Sequence, residues 1–113
     1  MEKVIKVVLC KVGEAPRMVE IENTLEAKQE LVGGWIEMAC PPIHDDDAVV
    51  ICNEEGKLLK LPPNRFLRLA NGMPYDVICG DFFIIRAPAD SDVFEGLTDE
   101  QVEKYIDFYG GEI

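Results

Sequence analysis

Asp76-Val77-Ile78-Cys79-Gly80-Asp81-Phe82-Phe83-Ile84-Ile85-Arg86 consists of two short apolar runs around a Gly-Asp pair. β-Branched and aromatic residues favour extended chain, and Gly-Asp suits a tight turn, so the stretch reads as a β-hairpin. Upstream, Asn71-Gly72-Met73-Pro74 breaks the chain, and the periodicity of Phe66 to Leu69 fits neither helix nor strand decisively. Further back, Ala48-Val49-Val50-Ile51-Cys52 is apolar at every position, as expected of an interior strand covered on both faces. The turn Asn53-Glu54-Glu55-Gly56 then predicts a return through Lys57-Leu58-Leu59, making a hairpin that ends at the proline loop Leu61-Pro62-Pro63-Asn64-Arg65.

Towards the amino terminus, Val4-Ile5-Lys6-Val7-Val8-Leu9-Cys10 is a second buried-type strand. Gly13-Glu14-Ala15-Pro16 reads as a turn into a strand from Met18 to Ile21, which makes the first two strands a hairpin. Asn23 and Glu26 have capping-box spacing, opening a helix from Thr24 to Val32 that Gly33 ends in the left-handed conformation. Trp35 to Met38 is a further strand, stopped by Pro41 and Pro42, and Ile43-His44-Asp45-Asp46-Asp47 is a polar loop. Beyond the opening stretch, Pro88 to Gly96 is a polar connection. Thr98 and Gln101 form a second capping box, with Leu97 and Val102 spaced for a hydrophobic staple. The helix they open carries Val102, Tyr105, Ile106 and Tyr109 on one face and Glu100, Glu103, Lys104 and Asp107 on the other.

A chain of 113 residues, 48% hydrophobic, supports one core and is too short for two ordinary domains. Strands flanking two helices without a βαβ repeat predict an α+β fold. The expected architecture is a single compact domain over residues 1–113, with a mixed or antiparallel sheet of about five to seven short strands and two helices.

Acids outnumber bases 22 to 11, for a formal charge of −11. Nucleic acid and anionic membrane surfaces are therefore disfavoured as partners, because both demand a basic face. The segment from Asp90 to Ile113 holds eight acids against Lys104 alone. Asp99, Glu100, Glu103 and Asp107 are the candidate acidic partner surface, suited to a basic protein. The apolar segment near the amino terminus is too short for a secretory core or a membrane span, so a soluble, cytoplasmic protein is expected.

No catalytic set is visible. The cysteines at 10, 40, 52 and 79 form no Cys-x-x-Cys pair and read as reduced structural thiols. His44 with Asp45, Asp46 and Asp47 lacks EF-hand spacing and reads as a solvated loop, so no metal site is expected. Ser91 lies in no nucleophile motif, and Gly33-Gly34 and Gly80 are too isolated to cradle phosphate, so no cofactor is expected either. Asn64 and Arg65 on the stiff proline loop, with Asn53 and Glu54 nearby in sequence, are the candidate ligand or partner contacts. Arg65 can clamp an anion, or it can pair with Glu54 or Glu55 while Asn64 closes a turn. Most of the aromatic residues read as core, with Phe108 and Tyr109 the outermost.

Several blocks occur together and in order: Glu20 to Glu26 running on to Leu31-Val32-Gly33-Gly34-Trp35-Ile36-Glu37; Cys52 to Leu58; Leu61 to Arg65; Asp76 to Ile84; and Leu97 to Gln101. In these the chain resembles the domain of unknown function 3846 family, small proteins often encoded on conjugative elements and phages of Gram-positive bacteria. The resemblance covers nearly the whole chain and implies no catalytic residues. Trp35 keeps the family's aromatic after the Gly pair, whereas Lys60 stands where the pattern often has glycine. The expectation is a non-enzymatic binding or interaction protein, accessory to a mobile genetic element. The alternative is a small-ligand module that grips an anionic metabolite or nucleotide with the Pro62–Arg65 loop.

Overall fold

Alternate residues of β1 (Val4–Cys10) serve two different cores: Ile5, Val7 and Leu9 face one, Val8 and Cys10 the other. A computed structural model describes residues 3–39, 47–68 and 71–110. The remaining elements are β2 (Arg17–Glu22), α1 (Leu25–Val32), β3 (Ile36–Ala39), β4 (Ala48–Asn53), β5 (Pro63–Arg68), β6 (Pro74–Cys79), β7 (Phe82–Arg86) and α2 (Asp99–Gly110). One five-stranded sheet has the order β2-β1-β7-β4-β3, and β5 and β6 form a separate two-stranded sheet. Every pairing is antiparallel, so among the described residues the fold is α+β.

The first hairpin is as expected, with Val4 opposite Glu22 and Leu9 opposite Arg17. The second is a correction: Gly80-Asp81 closes no hairpin, because β6 pairs with β5 while β7 lies between β1 and β4. Phe82 and Ile84 belong to one core and Phe83 and Ile85 to the other, and a strand buried on both faces belongs in the middle of a sheet. Gly80 takes φ 90°, its N–H donates to the Pro62 carbonyl at 2.8 Å, and the Asp81 carboxylate accepts from the Val12 N–H at 2.9 Å. The pair therefore acts as a corner between sheets.

Lys57 to Leu59 is likewise no strand. The Asn53 carboxamide oxygen accepts from the Glu55 N–H at 2.8 Å, and Leu59 N–H donates to the Glu55 carbonyl and Leu61 N–H to that of Gly56. These bonds wind the segment into overlapping turns that end at Lys60, φ 57°, the one non-glycine residue at positive φ among the described residues. Pro63 to Arg65 of the proline segment and Phe66 to Arg68 after it form β5, with register shifts at Pro63/Arg65 and Leu67/Arg68, while Leu69 lies outside the described residues.

Both helices begin close to the expected points. In α2, Gln101 N–H donates to Thr98 Oγ1 at 3.2 Å and Thr98 N–H to Gln101 Oε1 at 3.0 Å, a complete capping box. In α1 the cap is Thr24, which accepts from Ala27 N–H at 3.1 Å, and Gly33 ends the helix at φ 77°. Asn23 is diverted: it donates to the Phe94 carbonyl at 2.9 Å and accepts from Lys28 Nζ at 2.8 Å. Lys28 is buried beside the Phe94 ring, and burial pushes its pKa down.

One face of the large sheet packs under α2 and the β5–β6 pair, joining Val8, Val50, Phe82 and Ile84 to Tyr105, Tyr109, Leu67 and Ile78. The other packs against Val32 of α1 and against Phe94. Tyr109 is not outermost: it is wholly buried, edge-on to Phe82 at 5.3 Å and to Phe108 at 5.0 Å. Trp35 and Phe66 are aromatics left exposed. Cys40, Pro41, Pro42, His44, Asp45, Asp46 and Glu112 lie outside the described residues. No described helix is long and apolar enough to cross a membrane.

Candidate functional site

Arg65 lies in β5 with its side chain turned inward, 2% exposed. Its Nε donates to the Tyr109 carbonyl at 3.2 Å, Nη2 to the Glu14 carbonyl at 3.0 Å, and Nη1 to the Asn64 carboxamide oxygen. Asn64 Nδ2 in turn donates to the carbonyls of Cys10 and Gly80, both at 2.9 Å. Neither Glu54 nor Glu55 supplies the expected counter-charge; two backbone carbonyls and the Asn64 carboxamide take its place. Tyr109 is the penultimate residue of α2, whose last turn holds no basic residue of its own. The guanidinium thus occupies the negative end of the helix dipole and satisfies one of its terminal carbonyls. Asn64 and Arg65 together tie β1, the β1–β2 turn, the Gly80 corner and the end of α2 to β5.

Asn53 and Glu54 lie in a different place. Asn53 Nδ2 donates to the Val32 carbonyl at 3.1 Å, closing the carboxyl end of α1, and Glu54 N–H donates to the Trp35 carbonyl at 2.8 Å. A Cβ on Gly34 would stand 2.9 Å from Asn53 Nδ2, so the second glycine of the pair gives the carboxamide room. Both residues border a cleft of about 300 Å³ between the β3–β4 edge of the large sheet and the β5–β6 pair. The four residues named as candidate contacts therefore divide, two in an internal clasp and two at a cleft.

The cleft has an apolar floor of Ala39, Cys52, Leu67 and Ile78, and its rim carries Glu37, Glu54, Lys57 and Asp76. Leu58, on the lip, is 76% exposed. Lys57 forms an ion pair with Asp76 across the mouth. That bond holds the Asp76 carboxyl below the usual carboxylate range, helped by the Val77 N–H, and pushes the Lys57 ammonium pKa up. Burial pushes the Cys52 thiol up to about 11, with Glu37 and Asp76 adding to the effect and Lys57 opposing it. The Cys52 sulfur stays protonated at neutral pH and lies 3.7 Å from the Glu37 carbonyl, as a weak donor. Cys10, in the core, is pushed up to about 12 by burial in spite of the nearby Arg65. Among the described residues no three His, Cys, Asp or Glu side chains gather to hold a metal ion.

The cleft can therefore hold a molecule by apolar contact beneath and charge around it. Glu37, Lys57, Leu58 and Asp76 carried no signal in the sequence, since what unites them is the packing of one sheet against another. The acids of α2 are where the helical period puts them: Asp99, Glu100, Glu103 and Asp107 are all exposed, and Asp99 pairs with Lys6 at 2.7 Å.

The family model described as Domain of unknown function (DUF3846) matches residues 5–110, and the chain belongs to that family. No curated protein and no solved structure matches the chain.

Proposed function

We propose that the protein is a non-enzymatic binding protein that docks a basic polypeptide at the cleft between β3–β4 and β5–β6. The observation that carries this reading is the make-up of the cleft: an apolar floor, with three carboxylates and one ammonium on the rim. A basic side chain entering it meets Glu37, Glu54 and Asp76, and the apolar part of its stem covers Leu67 and Ile78. The formal charge of −11 and the outward acids of α2 supply a long-range field that speeds the approach of such a partner. The same field opposes nucleic acid. The setting we propose, an accessory role on a mobile genetic element in the cytoplasm of a Gram-positive host, rests on the family resemblance.

Charge reversal at two of the rim carboxylates tests the idea. The wild-type chain and a Glu37→Lys, Glu54→Lys variant are used as baits at physiological salt in cells carrying the element. The wild type should retain a protein with a basic surface that the variant loses and that added salt releases. Recovery of the same proteins by both baits, or of none by either, refutes the proposal.

A further inference from the structure

The hydrogen-bonding phase of the β3–β4 ladder can be read from a single contact. Trp35 and Glu54 are bonded across it, Glu54 N–H to the Trp35 carbonyl, and the register continues as Ile36 with Asn53, Glu37 with Cys52, Met38 with Ile51 and Ala39 with Val50. Bonded and non-bonded pairs alternate in an antiparallel ladder. Glu37 and Ala39 therefore spend their backbone groups on β4, whereas the N–H and C=O of Ile36 and Met38 point away from it. β3 ends the strand order, and among the described residues no strand pairs with its outer side.

The two edges of this sheet differ. β2 has Arg17, Glu20 and Glu22 at three of its exposed positions and Met18, 39% accessible, at the fourth, so charge protects most of that edge. At β3 the exposed side chains include Met38, 59% accessible, and Trp35, 64% accessible, just before the strand. The strand's single charge, Glu37, is on the cleft side with Ala39.

We infer that β3 is an acceptor for strand addition: an extended segment of the basic partner pairs with the outward backbone groups of Ile36 and Met38 and lays alternate side chains over the cleft. This rests on the cleft being the docking site and names how it is filled. Main-chain bonds supply affinity in this mode, and the side chains on one face supply selection. Residues opposite Glu37 and Ala39 project over the rim, where a lysine or arginine pairs with Glu37. Residues on the other face lie along Met38. A second copy of the chain is the poorer occupant, because antiparallel self-pairing brings Glu37 close to its counterpart between two bodies that each carry −11.

The probe is an acetylated, amidated hexapeptide of alternating lysine and valine, titrated by calorimetry at low salt, with amide hydrogen exchange followed on the full chain. Binding should slow exchange at Ile36 and Met38. Met38→Pro removes only a donor that faces away from β4, a substitution edge strands tolerate, whereas Met38→Ala keeps that donor. Losing one main-chain bond and the pairing beside it should weaken the peptide about tenfold in Met38→Pro relative to Met38→Ala, which shares the loss of the thioether side chain but keeps the N–H. An analogue N-methylated on alternate residues tests the same bonds without altering the protein, and it should fail to bind. Equal binding by wild type and Met38→Pro, binding of the N-methylated analogue, or unchanged exchange at Ile36 and Met38 overturns strand addition and leaves the cleft reading standing. No binding to the wild type overturns strand addition too, and the cleft reading falls with it only if the bait experiment is also blank.

Discussion

Replacing Arg65 with methionine keeps much of the side-chain volume and removes every donor, which makes it the sharpest probe of the internal clasp. Three acceptors lose a partner: the carbonyls of Tyr109 and Glu14 and the carboxamide oxygen of Asn64. A buried acceptor left unsatisfied costs about 1–3 kcal/mol, and water can reach an exposed one. Tyr109 is fully buried and bears most of the cost, Asn64 is half-buried, and Glu14 is exposed and regains water. Bonds to a charged donor are the strong kind, and the helix end also loses its dipole partner, offset in part because the guanidinium no longer has to be desolvated. The expected loss is about 3 kcal/mol, which at an m-value of about 1.5 kcal/mol/M lowers the urea midpoint by about 2 M. Equilibrium unfolding in urea measures this, and hydrogen exchange should accelerate first in the last turn of α2. A midpoint shift under about 0.5 M, or a larger shift with the end of α2 equally protected, would show that the guanidinium is not what holds that helix down.

Lys60→Gly should stabilise the chain by about 1 kcal/mol, since a non-glycine residue pays about 1–2 kcal/mol in the left-handed region and glycine returns part of that as unfolded-state entropy. A lower melting temperature for the variant would contradict this. Asp76 has a depressed carboxyl, so its stabilising contribution is complete above the ordinary carboxylate pKa and fades as pH falls through the lower folded value. Asp76→Asn should therefore shallow the acid-side decline in stability while leaving its shape at neutral pH unchanged. Identical slopes below pH 5 in urea titrations of parent and variant would rule out that ion pair as a contributor.

What was legible in the chain was local. The capping box of α2 joins residues three apart, and the β1–β2 hairpin joins neighbouring strands through one turn, so each is specified within a few positions. α1 shows how slim the margin is: Asn23 has a capping side chain, yet Lys28 and the Phe94 carbonyl claim it, and Thr24 next door takes the role. Lys60 takes φ 57°, a conformation that glycine adopts far more readily than lysine, and nothing in its neighbours along the chain foretold it. The reading of Arg65 as a clamp or an ion pair counted acids close in sequence, but its partners come from Glu14 and Tyr109, at the two ends of the chain.

The chain's own composition and periodicity determined an acidic α+β domain with two capped helices and central strands buried on both sides, because these follow from side-chain character and spacing over a few residues. Only the tertiary structure decided that Gly80-Asp81 turns from one sheet into another, that Asn64 and Arg65 are a clasp, and that Asn53 and Glu54 meet Lys57 and Asp76 around a cleft. Two apolar runs joined by a turn satisfy local physics equally well as a hairpin or as a corner. The choice falls to the partner that buries the most surface, and for β7 that meant β1 and β4, which the chain places far from it.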